Sequence, residues 1–297
     1  MKITITGSTG FVGQNLSKFL QSKNHNVAPL SLRKSWVLDK SSDAIIHLAG
    51  KAHDTANTSA EGDYLKINRD LTIQIFDEFL NSDIRDFFYF SSVKATADTI
   101  DGILDEEHNS NPKTPYGRSK LEAERYLLSK KLPENKRLFI IRPCMIHGPG
   151  NRGNLNLLYK IVEKGIPWPL ASFENKRSFL NIDNLNFLIH RMLTEPKVLS
   201  GIYNFADDTS LSTNDLIAVI NSALGKKEKL WKIPKNLIEK AASLGDKLKL
   251  PLNSERLKKL TESYVVSNQK IKDALKIEVL PVSTHKGLKK TVESFRQ

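Results

Sequence analysis

Residues 2–20 read KITITGSTGFVGQNLSKFL, and this stretch decides the fold. Lys2–Thr6 alternates apolar and β-branched residues and stops at Gly7, the pattern of a strand running into a turn. From Phe11 onward, Phe11, Val12, Leu16, Phe19 and Leu20 recur at helical spacing, so strand, glycine turn and helix follow one another directly. Gly7, Gly10 and Gly13 stand three residues apart between the two elements. Such glycines permit a tight turn and close backbone approach, so that a pyrophosphate can sit among the free N–H groups of the helix start. The spacing predicts a dinucleotide site at this turn.

Working outward, the alternation repeats. A second strand is expected over Asn26–Leu32 and a third over Ala44–Ala49, whose continuous apolar run suits a strand buried on both faces. Ile67, Leu71, Ile75, Phe76 and Phe79 define an amphipathic helix, followed by a strand at Phe87–Ser91, a helix at Tyr116–Leu128 behind Pro115, and a buried strand at Arg137–Arg142 ending on Pro143. This order predicts an α/β chain, a Rossmann-like doubly wound parallel sheet with helices on both faces. After Pro143 the texture changes to Gly-, Asn- and Pro-rich loops with scattered helices and short strands. The expected division is a dinucleotide-binding domain over 1–150, with a returning segment near 179–206, and a smaller α/β C-terminal substrate lobe making up most of 151–297.

Composition excludes several classes. Among 297 residues, 39% are hydrophobic and 26% charged, which rules out intrinsic disorder, and 15 Gly rule out collagen-like repeats. The single cysteine, Cys144, cannot form an intramolecular disulfide and suits a reducing compartment. No apolar run approaches the roughly 18 residues needed to span a bilayer, and the start MKITITG lacks an apolar leader region, so a soluble, cytoplasmic protein is expected. Of the net charge of +12, nearly all falls beyond residue 225: residues 226–297 carry 18 Lys/Arg against 8 Asp/Glu, a difference of +10. Those lysines alternate with apolar residues at helical spacing, as in Leu257-Lys258-Lys259-Leu260, without the aromatic interleaving of single-strand nucleic-acid binders. A solvated helix face is the first expectation, and peripheral attraction to an anionic membrane surface the second; no nucleic-acid motif is present.

Tyr116-Gly117-Arg118-Ser119-Lys120 sets a tyrosine and a lysine four residues apart on one helix face. The lysine charge is expected to lower the tyrosine toward working pH and make it a usable acid or base. Upstream, Phe88-Tyr89-Phe90-Ser91-Ser92 ends a parallel strand, where ligands of such sheets bind. No H-E-x-x-H pair or thiolate cluster occurs, so no metal site is expected.

The G-x-x-G-x-x-G turn, the strand-end serine and the Y-x-x-x-K pair, in this order, resemble the short-chain dehydrogenase/reductase superfamily, in particular its extended members that act on nucleotide sugars. The resemblance implies a catalytic set of Ser92, Tyr116 and Lys120, with Ser91 the lesser choice for the serine. It implies cofactor contacts from Gly7, Thr9, Gly10, Phe11, Val12 and Gly13, from Leu48-Ala49-Gly50, and from Asn68, Tyr116, Lys120 and Pro143. Leu30-Ser31-Leu32-Arg33-Lys34 holds no acid to accept from a ribose 2′-hydroxyl, and Arg33 could receive a 2′-phosphate, which favours NADP over NAD. The short spacing from this strand to Asp43 leaves no room for the usual strand and helix and implies a shortened sheet edge.

Arg142-Pro143-Cys144-Met145-Ile146-His147-Gly148-Pro149-Gly150-Asn151 resembles the post-strand segment of nucleotide-sugar enzymes, with His147 where most carry tyrosine. His147 is either a packed loop histidine or a sugar contact. Asn154 and Arg177 resemble nucleotide-diphosphate-sugar contacts, the guanidinium suited to grip a phosphate and Arg152 a possible helper. The implied branch handles UDP-activated N-acetylhexosamines for surface polysaccharides and includes 4-epimerases and C4 reductases of 4-keto-6-deoxy sugars. Arg33 leans the expectation toward an NADPH-dependent reductase; the alternatives are a 4-epimerase holding NAD and a non-catalytic NADP-binding sensor. Val93-Lys94 stands where a dehydratase would carry an Asp-Glu pair, which argues against dehydration. The resemblance also implies a homodimer built on the helices bearing Asn68 and Tyr116.

Overall fold

The computed structural model describes residues 1–51, 61–151, 154–248 and 253–296. The chain opens with β1 (Lys2–Thr6), α1 (Phe11–Ser22), β2 (Asn26–Leu30) and β3 (Ala44–His47). There follow α2 (Glu61–Tyr64), a π-helical turn at Leu65–Asp70, α3 (Leu71–Leu80), β4 (Asp86–Phe90), a 3-10 turn at Val93–Ala95, β5 (Ile103–Leu104), α4 (Pro115–Ser129) and β6 (Arg137–Pro143). The remainder is β7 (Met145–His147), α5 (Asn154–Glu163), β8 (Phe179–Asn181), α6 (Ile182–Thr194), β9 (Gly201–Phe205), α7 (Thr213–Leu224), α8 (Lys235–Leu248), α9 (Ser254–Thr261), β10 (Val265–Val266), α10 (Gln269–Leu275) and α11 (Thr284–Glu293).

Six strands form one parallel sheet in the order β2-β1-β3-β4-β6-β9. The order reverses at β1 and β3, and the crevice beyond the carboxyl ends of such strands is where doubly wound sheets bind ligands. Side chains of β4 alternate between the two faces, as the period of a strand requires. Phe88 packs with Leu16, Leu20, Phe139, Leu185 and Ile189 on one side, and Phe87 and Tyr89 with Ile75, Phe76, Phe79 and Leu127 on the other. A third cluster, including Leu155, Trp168, Ile217, Ile220, Ala242, Leu288 and Val292, forms the core of the C-terminal elements. Ile271, Leu275 and Leu280 instead pack into the core of the sheet, tying the chain's end to its beginning.

Several boundaries differ from the sequence expectation. β2 stops at Leu30 rather than Leu32, and it is the sheet's edge strand, where Pro29, which has no N–H for a ladder, is tolerated. Residues 31–43 run straight to β3, so Arg33 lies in an exposed bend and not at a strand end. β3 ends at His47 rather than Ala49, and β4 runs Asp86–Phe90 rather than Phe87–Ser91. The helix expected through Ile67 is broken by the π turn at Leu65–Asp70, a feature that often marks functional positions. β8 pairs with β7, outside the large sheet, whereas β9 joins β6.

Candidate active site

The glycine turn is shaped from within. Gly7 has φ +68°, and a Cβ there would lie 2.7 Å from the Ala49 nitrogen; at Gly13 it would lie 2.3 Å from the Gly7 carbonyl oxygen. Both positions therefore admit only glycine. Gly10 differs: a Cβ there would meet nothing nearer than the Gly7 oxygen at 3.4 Å, so the protein's own packing leaves its outer side open. Gly10 is also the N-cap of α1 and supplies no side-chain cap, so the first N–H groups of a twelve-residue helix are left for another acceptor. This cradle fits a pyrophosphate at a helix N-terminus.

Ala49 and Gly50 leave the end of β3 beside this turn. A Cβ on Gly50 would lie 3.0 Å from Asn68 Oδ1 and 3.2 Å from Lys120 Nζ, so these side chains line one wall. Asn68, fully buried by the π turn, accepts from the Lys51 N–H (2.7 Å) and donates to the Lys51 carbonyl (3.1 Å) and to Ser119 Oγ (3.0 Å). Leu48 follows β3 and Pro143 ends β6, at the carboxyl ends of two strands separated by β4.

The Ser92 turn and α4 are built to meet. Thr114 caps α4, accepting from the Gly117 N–H, and Asp98 holds the approach through the Thr114 hydroxyl (2.9 Å) and the N–H groups of Lys113 and Thr114. Gly117 lets the helix press on the turn: a Cβ there would come within 2.4 Å of the Lys94 carbonyl oxygen. Ser92 caps the 3-10 turn, its Oγ accepting from the Lys94 N–H at 3.1 Å, and it lies near enough to Tyr116 to act on its hydroxyl. Ser91, by contrast, donates to Glu124, one turn along α4 from Lys120, and so is engaged by a group other than Tyr116.

The electrostatics depart from expectation at Tyr116. Burial pushes its hydroxyl above the ordinary tyrosine value, the Ser92 hydroxyl opposes this, and Tyr64 nearby adds to the rise. The Lys120 ammonium donates to the Phe90 carbonyl (2.8 Å) and lies 5.0 Å from the centroid of the Tyr89 ring. Lys120 is itself pushed down to about 8 by burial, with Glu124 acting against the shift.

Sequence reasoning assigned no supporting role to the groups that hold this centre. Glu124 and Arg142 form a buried pair (Nη2 to Oε2 2.5 Å, Nε to Oε1 3.0 Å). Opposite them, Thr6 Oγ1 meets His47 Nδ1 at 2.7 Å and His47 Nε2 meets Thr72 Oγ1 at 3.0 Å, while the Ala49 N–H donates to Thr6 Oγ1 at 3.1 Å. Tyr264 was missed. Its hydroxyl donates to the Ala97 carbonyl (2.7 Å) with the Val93 carbonyl 3.1 Å away, its ring carries the Lys94 ammonium 4.0 Å from the centroid, and its backbone pairs with Lys176 and Ser178. One tyrosine thus joins the Ser92 turn to the segment of Arg177. Arg177 is partly buried, donates to the Glu262 carbonyl at 3.2 Å, and is pushed down by burial against the pull of Glu262.

Two substrate expectations fare differently. His147 is turned inward: fully buried, with Nδ1 2.9 Å from Thr291 Oγ1 and Nε2 3.6 Å from Asp207 Oδ2, it anchors α11 and does not face the crevice. This placement is that of a packed histidine. Asn154 is the first residue of α5; Arg152 and Gly153 lie outside the described residues. Among the described residues no group of His, Cys, Asp or Glu could hold a metal, and no helix is long and apolar enough to cross a membrane.

Comparison with known proteins gives a consistent picture. The model of the NAD dependent epimerase/dehydratase family matches residues 3–206. A UDP-glucose 4-epimerase of Vibrio cholerae is 31% identical over 257 residues, covering 78% of this chain and 78% of that protein. The N-acetyl-α-D-glucosaminyl-diphospho-ditrans,octacis-undecaprenol 4-epimerase of Escherichia coli O157:H7 is 26% identical, covering 98% of this chain and 94% of its own. A GDP-6-deoxy-D-mannose reductase of Pseudomonas aeruginosa is 24% identical over 74% of this chain and 79% of its own. Among solved structures, the UDP-N-acetylglucosamine 4-epimerase from Bacillus cereus superposes with a TM-score of 0.77 at 21% identity, with all of both chains covered. A Pseudomonas aeruginosa protein complexed with NADPH gives 0.74 at 19%, covering 99% of this chain and 98% of that one.

Proposed function

The chain belongs to the NAD dependent epimerase/dehydratase family, whose members include nucleotide-sugar epimerases and reductases, and from that premise we propose that it is an NADPH-dependent C4 reductase of a UDP-linked 4-keto-6-deoxy-N-acetylhexosamine. The observation that carries the reading is the meeting of the Ser92 turn with the start of α4, which sets Ser92 near Tyr116 and a buried Lys120 at the carboxyl end of the sheet, next to the open glycine cradle. In this reading residues 1–150, with β9 and α6, form the cofactor unit, and the remainder forms the substrate lobe.

The fit of the cradle names the residues that would hold NADP: Gly7, Thr9, Gly10, Phe11, Val12 and Gly13 at the pyrophosphate, Arg33 at the 2′-phosphate, and Lys120 and Asn68 at the ribose next to the nicotinamide, with Leu48, Ala49, Gly50 and Pro143 along the crevice wall. When bound, the reduced cofactor supplies hydride. Ser92 Oγ orients the sugar's C4 oxygen, and Tyr116 Oη delivers the proton to it. A tyrosine pushed upward by burial keeps its proton at neutral pH, which suits donation to a carbonyl oxygen better than abstraction from a hydroxyl. Arg177, held by Glu262, grips the diphosphate. The exposed Arg33, with no acid in the Leu30–Lys34 segment, supports NADP over NAD.

The undecaprenol-linked relative shares with UDP-sugars only the diphospho-N-acetylhexosamine, so the diphosphate and the sugar ring are the groups the site must recognise in common. A 4-epimerase holding NAD is the second reading, favoured by the two 4-epimerase relatives. The cofactor that copurifies is read first. The protein is then given NADPH and a UDP-4-keto-6-deoxy-N-acetylhexosamine. Stoichiometric NADPH oxidation supports the reductase. Copurified NAD, no net oxidation and interconversion of UDP-N-acetylglucosamine with its C4 epimer would establish the epimerase. In either case Tyr116→Phe should lower turnover by about a hundredfold or more while cofactor binding persists, and full activity would remove Tyr116 from the role.

A further inference from the structure

We propose that the solvent-facing side of α8 docks this protein onto an anionic lipid surface. Helix α8 carries two apolar faces, and only one is used by the fold. Ile238, Ala242 and Gly245 are buried against the C-terminal elements. Leu237, Ala241, Leu244 and Leu248 are all exposed, the three leucines by 53%, 54% and 60%. Their spacing of four, three and four residues gathers them within an arc of about 60° on a helix turning roughly 100° per residue. The stripe is therefore a continuous face, distinct from the packed one, and Trp231 just upstream is likewise 56% exposed.

The charges around the stripe say what covers it. On the same helical wheel Lys240 and Lys247 lie along its open flank, whereas Glu239 and Asp246 point to the opposite side of the helix. Asp246 is occupied there, accepting from the N–H and hydroxyl of Ser254 at 3.0 and 2.5 Å. Neither Lys240 nor Lys247 is paired with a carboxylate among the described residues. Leucines edged by free ammonium groups, with the carboxylates turned away, are the pattern of a helix that lies in the headgroup plane of an anionic membrane. The wider segment agrees, with a difference of +10 between basic and acidic residues over 226–297. A second copy of the chain on the same stripe would set Lys240 and Lys247 against their own like charges. A partner helix would need a cleft, and a face more than half exposed at each leucine offers none. The helix is far too short and polar to cross a bilayer, so the contact is peripheral.

The test is flotation of the full-length protein with vesicles of phosphatidylcholine alone and of phosphatidylcholine containing phosphatidylglycerol. The wild type should float with the anionic vesicles, weakly or not at all with the neutral ones, and be released by salt. Leu244→Ser/Leu248→Ser should reduce binding to the neutral-vesicle level, and Lys240→Glu/Lys247→Glu should weaken it by about tenfold or more, since each basic residue at such a surface contributes about 1 kcal/mol. These residues lie outside the proposed catalytic set, so NADPH oxidation in the absence of vesicles reports that the variants remain folded. No binding to anionic vesicles, or binding that both double variants leave intact, would overturn the proposal. So would concentration-dependent self-association of the wild type that the leucine variant abolishes, because the stripe would then be a contact between copies.

Discussion

Two buried polar clusters flank Lys120, and they are built on opposite principles. Between α4 and β6, Glu124 and Arg142 form a charged pair joined by the Ser91 hydroxyl. At the mouth of the sheet, His47 links Thr6 and Thr72 in a chain without formal charge. Lys120 is coupled to both: Glu124 favours its ammonium, while burial of His47, with the Lys120 charge adding to it, holds that imidazole down at about 3. A negative group and a neutral one beside it let a buried lysine stay protonated near neutrality without recruiting a second cation. The difference teaches that the site's charge is set by groups that need not touch a ligand.

The contrast is broken most severely at the charged cluster. Glu124→Gln removes the carboxylate but leaves Arg142 buried, and an uncompensated buried charge costs about 3–5 kcal/mol, which denaturant unfolding would read. Glu124→Leu combined with Arg142→Met removes both charges and should recover most of that loss. If the single variant were as stable as the wild type, water or another acceptor would have to satisfy Arg142, and the cluster would not be the dry pair described.

The neutral cluster yields a pH effect whose sign follows from its direction of shift. His47 binds a proton near 6.5 when unfolded but only at about 3 when folded, so the unfolded chain takes up the extra proton between those values. Stability is therefore full above about pH 6.5 and falls as the pH is lowered, by about 2 kcal/mol at pH 5. Unfolding measured across this range should show the acid limb in the wild type and a shallower one in His47→Asn. An identical limb in both would assign it to other groups.

How much of this was legible depends on the distance over which each fact is encoded. The glycine turn, Ser92 and the Tyr116–Lys120 spacing are local patterns, and they pointed to the fold and to the residues proposed for the site. The supports are not local: Thr6 and His47 stand 41 positions apart, His47 and Thr72 25, and Tyr264 reaches Ala97 across 167. Sequence left His147 as either a packed histidine or a sugar contact, because the group it meets, Thr291, lies 144 residues downstream. The rise at Tyr116 was equally hidden, since the spacing places a lysine on the same face but cannot say that burial raises the hydroxyl.

The smallest expected effect tests the direction of the neutral chain. Thr72 Oγ1 donates to the Asn68 carbonyl at 2.7 Å, so its lone pair must accept from His47 Nε2–H. A neutral ring then has Nδ1 free to accept, the Thr6 hydroxyl donates to it, and Thr6 Oγ1 in turn accepts from the Ala49 N–H. The five groups point one way, from the strand end beside the glycine turn to the π turn that carries Asn68. Nitrogen NMR of the ring should therefore report the Nε2-protonated tautomer. Thr72→Val, which keeps the shape and deletes the acceptor, should cost about 1 kcal/mol and weaken that preference. A ring protonated at Nδ1 would reverse the chain, leave Thr72 donating to two acceptors with one proton, and so require that one of these hydrogen bonds be absent in solution.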